Sequence, residues 1–393
     1  MTVHDHVVVV GASVAGITAA EALRRNGHRG RLTVVGAEHR APYDRPPLSK
    51  QVLSGAWPPE RIVLRPRDRL AALDLDLRLG VAATGLDHDG RRLRVTSGGP
   101  LGYDALIIAT GVLPRRLPGD DLAGVHYLRT LDDALALRAR LQPGARLLVA
   151  GAGFIGAEAA AVAAGLGVHV TMVEPGPAPM AGVLGAELGG MLAEVHAERG
   201  VHVRCGTAIA ALTGSAAGEV TGAELTDGTH IAADAVLVGV GTVPATAWLS
   251  GSTIPLSGGV VECDAYGQAV PAVYAAGDVC AWHHPRYAGR IRVEHRTSAA
   301  EQGALAAANL LAAPDARRPL TGIPYFWSDQ YDLKIQAFGL VSAGCEVEVG
   351  HGGTAERRLV AAYSREGRTV GLVGIGMPRQ LRACRTLLAS GAA

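Results

Sequence analysis

The chain has 393 residues, about two to three times the usual length of one domain, and is 48% hydrophobic and 19% charged, so it has material for more than one core and is not disordered. Lys+Arg of 37 against Asp+Glu of 36 leaves a net charge of +1, which speaks against a nucleic-acid binder and against strong attraction to a membrane surface. The five cysteines, Cys205, Cys263, Cys280, Cys345 and Cys384, form no C-x-x-C or C-x-x-x-x-C pair, so a dithiol of near neighbours, a cysteine metal knuckle and a disulfide framework are not expected.

Residues 1–6 carry no basic region or cleavage site of a signal peptide, and no run approaches the ~18 apolar residues of a membrane span. A cytoplasmic protein is expected. Residues 7–10 are four valines entering the turn Gly11-Ala12-Ser13-Val14-Ala15-Gly16, followed by an alanine-rich stretch, a second apolar run at 32–35 and Glu38. Residues 147–156 repeat the pattern: an apolar run enters Gly151-Ala152-Gly153-Phe154-Ile155-Gly156, then come an alanine-rich stretch, an apolar run at 168–173 and Glu174. Strand, helix and parallel strand are predicted each time, which is one βαβ unit. A second segment also recurs, 104–114 and 234–244, predicting a buried strand closed by Gly and Pro at the end of each half.

Beyond the second copy, residues 273–278 predict a strand ending in Asp278, and 297–311 a helix. From 321 the texture changes. Aromatics cluster (Tyr325, Phe326, Trp327, Tyr331, Phe338), strands are predicted at 334–340, 358–364 and 369–375, and a helix at 379–388. This is a third, α+β module of about seventy residues.

A glycine turn between strand and helix lets backbone N–H groups approach a pyrophosphate at the positive end of the helix dipole, and the acid closing the second strand receives the ribose hydroxyls. Gly151, Gly153 and Gly156 match G-x-G-x-x-G in full, with Phe154 and Ile155 inside the motif and Glu174 about twenty residues on. In the first copy Gly11 and Gly16 keep their places and Ser13 replaces the middle glycine. Glu174 would repel a 2′-phosphate, and 175–198 contains no Lys or Arg to receive one, so NADH is favoured over NADPH.

The run Pro42-Tyr43-Asp44-Arg45-Pro46-Pro47-Leu48-Ser49-Lys50, with Ala109-Thr110-Gly111, Ala276-Gly277-Asp278 and the stretch 325–331, resembles the FAD-dependent pyridine-nucleotide oxidoreductases, in particular their ferredoxin-reductase branch. The resemblance implies an α/β fold, glutathione-reductase-like: two Rossmann-like nucleotide-binding domains, for FAD (1–112 and 245–320) and NADH (113–244), and a C-terminal α+β domain (321–393) covering the flavin. It implies that Gly11, Ser13, Gly16 and Glu38 hold the adenylate half of FAD, with Arg45 and Lys50 along its phosphate and flavin. Ala109, Thr110 and Gly111 close the FAD half and Gly241 the NADH half, while Gly277 and Asp278 meet the ribityl chain and Trp327 packs near the isoalloxazine. By the same resemblance Lys50 pairs with Glu158 beside the flavin N5, the two being the candidate catalytic residues, and no metal is implied. A cation there stabilises the reduced, anionic flavin.

Members that reduce disulfides carry C-x-x-x-x-C near the positions of Ser49 and Lys50, and related peroxidases and oxidases one cysteine; this chain has none there. The implied activity is hydride transfer from NADH to the flavin, then single-electron delivery to an iron-sulfur ferredoxin serving a haem monooxygenase or dioxygenase, by a monomer or homodimer. The chain departs from its relatives at Arg296 after Glu294-His295, at Gly182 and at Ala245. Arg290, Arg292 and Arg296 read as a solvated charged turn or as contacts for an acidic partner. The rival readings are a flavin oxidase acting on a small metabolite and an NADH-responsive redox-sensing interaction protein.

Overall fold

The structure, a computed structural model, describes residues 4–389; of the N-terminal segment 1–6, residues 1–3 lie outside it. The chain divides into two compact units. The first comprises Met1–Asp44, Ile62–Leu113 and Val243–Pro324, and the second Arg45–Arg61, Pro114–Thr242 and Tyr325–Ala393.

In the first unit the four valines form strand β1 (His6–Val10), followed by helix α1 (Val14–Arg25) and strand β2 (Arg31–Gly36). Val7, Val8 and Val9 are fully buried, as expected of a parallel strand covered on both faces. Strand β1 lies between β2, in register from His6↔Arg31 to Val10↔Val35, and Ala105–Ile108, from Val7↔Ala105 to Val10↔Ile108. The sheet runs Gln268–Val270, Val273–Ala275, Ala105–Ile108, β1, β2, Asp76–Leu79, parallel except at its first pair.

The second unit repeats this arrangement with strand β3 (Arg146–Ala150), helix α2 (Phe154–Gly165) and strand β4 (His169–Glu174). Its parallel sheet runs His202–Cys205, β4, β3, Ala235–Val238, Val125–His126. Strand β3 is flanked by β4 and by the twin strand Ala235–Val238, just as β1 is flanked by β2 and Ala105–Ile108. The repeat extends further than the sequence suggests. An antiparallel three-stranded sheet precedes each twin strand: Ala83–Asp87, Arg92–Val95, Leu101–Gly102 in one unit and Ile209–Gly214, Val220–Leu225, His230–Ala232 in the other.

Also in the second unit are helix α3 (Ala186–Glu198) and a five-stranded antiparallel sheet that starts with β5 (Tyr325–Gln330) and continues Leu333–Gly339, Arg368–Ile375, Arg358–Arg365, Glu346–Gly353. Phe326, Ile335, Ala361, Tyr363 and Val373 from this sheet share a core with Leu188 and Leu192 of α3. The helix expected over 379–388 is interrupted at Arg385, giving Pro378–Cys384 and Thr386–Ala389. The helix Arg296–Leu311 in the first unit starts one residue earlier than expected. Among the described residues no helix is long and apolar enough to cross a membrane.

Candidate functional site

Each βαβ unit ends its first strand in a cradle that a side chain would fill. Gly11 has φ +118°, and a Cβ there would collide with the backbone carbonyl of Ala109, which the Ala109 N–H to Val10 O bond of 2.7 Å holds in place. Gly16 faces the Gly11 carbonyl just as closely. Ser13 is the N-cap of α1 without a side-chain capping bond, so its hydroxyl leaves the first-turn N–H groups available to an anion. Ser13 therefore keeps the turn open although it departs from the glycine pattern. Glu38 accepts a hydrogen bond from the Tyr43 hydroxyl. The Thr110 hydroxyl donates to Ala245 O at 2.9 Å and Gly111 O accepts from Ala245 N at 3.0 Å, so the substituted position 245 is a backbone partner of this strand end. Gly277 N donates to Gln302 Oε1 at 2.8 Å, and Asp278 follows at the end of Val273–Ala275.

In the second unit Gly151 has φ +91°, and a Cβ would stand 2.5 Å from Gly239 O. Gly156 faces the Gly151 carbonyl, and Gly153 is the uncapped N-cap of α2. Phe154 packs edge-on against Phe326 with ring centres 5.0 Å apart, while Ile155 is exposed. Glu174 is held by the turn itself: its two oxygens accept the N–H groups of Ala152 at 2.8 Å and Gly176 at 2.9 Å. Gly241, φ +101°, accepts from Arg115 N at 2.9 Å. Both turns thus fit a dinucleotide: close backbone, an open helix end and a tethered acid.

The sharpest electrostatic feature lies wholly in the second unit. Lys50 Nζ is 2.6 Å from Glu158 Oε2, and the two side chains are only 10% and 5% exposed. The Ser49 hydroxyl donates to the same oxygen, and the Ser328 hydroxyl to Oε1 at 2.8 Å. A buried ion pair needs this kind of hydrogen-bond supplement to offset its desolvation. Lys50 lies where a 3₁₀ turn over Pro46–Ser49 meets the short helix Gln51–Ser54. Arg45, at the start of that turn, donates to Arg129 O. Trp327 lies on the opposite face of β5 from Ser328 and stacks on Tyr325 with ring centres 6.0 Å apart.

Three arginines expected to be solvated or to face an acidic partner have acidic neighbours within the first unit: Arg296 with Asp44 at 3.0 Å, Arg292 with Glu294 at 2.7 Å and Arg290 with Glu262 at 3.5 Å. Arg296 thereby ties the start of Arg296–Leu311 to Asp44 within the first unit.

Sequence reasoning missed Ser49, Ser328, Gln330 and His196. The available signal was in β5, where Ser328 and Gln330 share the buried face with Phe326. His196 on α3 is fully buried, and desolvation pushes its pKa down to about 4 against the bond to Gln330, which raises it. Between pH 6.5 and about 4 the unfolded chain takes up a proton that the folded protein refuses. Stability therefore falls as pH drops through that window, by up to about 1.4 kcal/mol per pH unit, and levels off below it. Urea unfolding at pH 7 and pH 5 should show a smaller difference for His196→Gln than for the unsubstituted protein; equal differences would remove His196 as a source.

The chain thus combines two βαβ units whose turns fit a dinucleotide, a buried lysine-carboxylate pair and a C-terminal antiparallel sheet. A sequence profile described as pyridine nucleotide-disulphide oxidoreductase matches residues 5–303, and one described as reductase C-terminal matches 325–393. The chain is 35% identical to the rhodocoxin reductase of Rhodococcus erythropolis over 98% of its own length and 89% of that protein's. It is 38% identical to a ferredoxin–NAD(P)+ reductase of Sphingomonas sp over 94% of its length and 89% of that protein's. It also superposes, with TM-score 0.93 and 31% identity, on a chain in the crystal structure of the covalent putidaredoxin reductase–putidaredoxin complex, covering 99% of this chain and 94% of that one. The chain belongs to the pyridine nucleotide-disulphide oxidoreductase family.

Proposed function

We propose that the protein is an FAD-dependent NADH:ferredoxin reductase, acting in the cytoplasm as a monomer or homodimer and supplying electrons to a ferredoxin that serves a haem monooxygenase or dioxygenase. The observation that carries this reading is the buried Lys50–Glu158 pair, with Ser49 rather than a cysteine beside it. A thiol relay has no residue to run on there, so electrons leave to an external acceptor. Relatives matched over 98% and 94% of the chain are named rhodocoxin reductase and ferredoxin–NAD(P)+ reductase, which supports the same acceptor.

In this reading FAD is held by residues 1–112 and 245–320, NADH by 113–244, and 321–393 form the covering module. Gly11, Ser13 and Gly16 admit the FAD pyrophosphate to the N-terminus of α1, Glu38 takes its ribose, Arg45 lies along its phosphate and Gly277 and Asp278 meet the ribityl chain. Gly151, Gly153 and Gly156 do the same for NADH, with Phe154 and Ile155 lining the entry. Glu174 meets the adenosine ribose and disfavours a 2′-phosphate. When bound, FAD supplies the capacity to accept a hydride and return its electrons singly. The protein contributes alignment and charge: Lys50 holds an ammonium against the flavin, Glu158 fixes it there, and Trp327 packs nearby.

Anaerobic addition of NADH to the holoprotein is expected to bleach the visible flavin band, and an oxidised ferredoxin to restore it, whereas NADPH at equal concentration bleaches far more slowly. A flavin that stays oxidised under excess NADH would overturn the assignment. So would recovery by a small metabolite in place of the ferredoxin.

A further inference from the structure

Behind Glu158 the buried face of β5 carries polar side chains that the roles above do not use. Ser328, Gln330 and His196 are all fully buried, and with Tyr331 they form one connected chain inside the second unit. Gln330 Nε2 lies 3.2 Å from Met180 Sδ and 3.3 Å from Ser328 Oγ. A thioether can only accept, so the amide NH₂ faces Met180 and Ser328, and Gln330 Oε1 faces His196 Nε2 at 3.1 Å. His196 must then carry its proton on Nε2. That leaves Nδ1 as an acceptor for the Tyr331 hydroxyl at 3.0 Å. At the other end, the Ser328 hydroxyl receives from Gln330 and spends its own proton on Glu158 Oε1 at 2.8 Å. From Tyr331 to Glu158, each link of the chain is donated in the direction of the carboxylate.

We propose that Tyr331, His196, Gln330 and Ser328 are positioning residues: a one-directional hydrogen-bond chain that ends on Glu158 Oε1 and turns Oε2 toward the Lys50 ammonium. The proposal rests on the reading that Lys50 lies against the flavin. Aligned hydrogen bonds polarise one another, and the last, to a charged oxygen, is the strongest. The chain is not a proton path, because a primary amide holding its orientation against Met180 has no proton to pass on and replace. Burial favours the neutral imidazole that the polarity requires. Around His196 the charged neighbours sit beyond the chain: Arg199 lies over the Tyr331 ring at 5.1 Å and pairs with Asp332 at 2.6 Å, and Glu198 pairs with Arg357. Losing the chain frees the carboxylate to rotate, displaces the ammonium and weakens its stabilisation of reduced flavin.

The test is the flavin midpoint potential of the FAD-loaded full chain, read by dye equilibration under anaerobic conditions. Gln330→Leu should lower the two-electron reduction equilibrium about three- to tenfold, ~15 to 30 mV. Tyr331→Phe should lower it less. In a Glu158→Gln background the Gln330 substitution should add no further shift. An unchanged potential, or an equal shift in both backgrounds, overturns the proposal. If Gln330→Leu does not fold, ¹⁵N spectra of histidine in the unsubstituted holoprotein decide: the chain requires neutral His196 with its proton on Nε2 at pH 7, and the Nδ1–H tautomer or an imidazolium overturns it. A potential unmoved by Lys50→Met, with the expected tautomer present, would instead overturn the placement of Lys50 against the flavin while leaving the chain's polarity intact.

Discussion

Replacing Gly11 by alanine is expected to yield protein without FAD, whereas Gly151→Ala is expected to yield yellow protein that NADH no longer reduces. The same one-carbon change thereby separates the two nucleotide sites. At Gly11 the backbone is left-handed at φ +118°, and the added carbon meets the Ala109 carbonyl, pinned by its own strand to β1. At Gly151, φ +91°, it meets Gly239 O, and Gly239 N is bonded to Ala150 O at 2.7 Å. Neither obstacle is a flexible side chain. Backbone strain of roughly 1–3 kcal/mol corresponds to about a 5- to 150-fold loss of affinity at each site, and the clash adds to it. Flavin content by absorbance and the rate of bleaching by NADH read the two outcomes. A Gly11→Ala protein that purifies with a full flavin complement would show that the first turn is not where the cofactor is gripped.

Lys50→Met should be nearly as damaging, for a different reason. It leaves the Glu158 carboxylate, 5% exposed, facing an apolar side chain with only the hydroxyls of Ser49 and Ser328 for support. Breaking one side of a buried pair costs about 3–5 kcal/mol, while removing both partners is far milder. Urea unfolding should therefore show Lys50→Met as markedly less stable than the unsubstituted protein, with much of the loss recovered in Lys50→Met/Glu158→Gln. Reduction by NADH should slow in both, since neither retains the cation. If the single and double variants are equally destabilised, the pair is not what holds this part of the second unit together.

The parallel strands and their turns were legible because a strand covered on both faces must be apolar throughout, and because Gly11, Gly16, Gly151 and Gly156 mark backbone approaches no other residue permits. The antiparallel sheets at 83–102 and 209–232 were not, since half-exposed strands such as Ala83–Asp87 and Ile209–Gly214 show no clean alternation. Glu346–Gly353 was missed for a related reason: this edge strand is charged and largely exposed, which guards it against pairing with other chains but erases its signature. The surroundings of Glu158 were hidden by distance. Ser49 and Ser328 lie 109 and 170 residues away along the chain, so each reads locally as an ordinary polar residue. Lys50 and Glu158 came forward only through resemblance; nothing in their own spacing links a lysine after a proline-rich loop to an acid on an alanine-rich helix.

The division into units bears on how the chain is made. Each unit draws on three separate segments, so the polypeptide passes from one to the other five times between its ends. The first βαβ motif emerges from the ribosome early, yet its sheet lacks Val273–Ala275 until most of the chain has been synthesised. The second unit waits longer still, for β5 onward. At about 5–20 residues per second, domain-by-domain folding during synthesis is denied to this protein for tens of seconds. Apolar strands such as β1 and β3 are available for wrong pairing throughout that interval. Expression with slowed translation or added chaperone should therefore change the soluble yield more than it would for a chain whose domains are contiguous, and a fragment cut at residues 114–242 would lack Ser49, Lys50 and Ser328, the groups that compensate its buried Glu158.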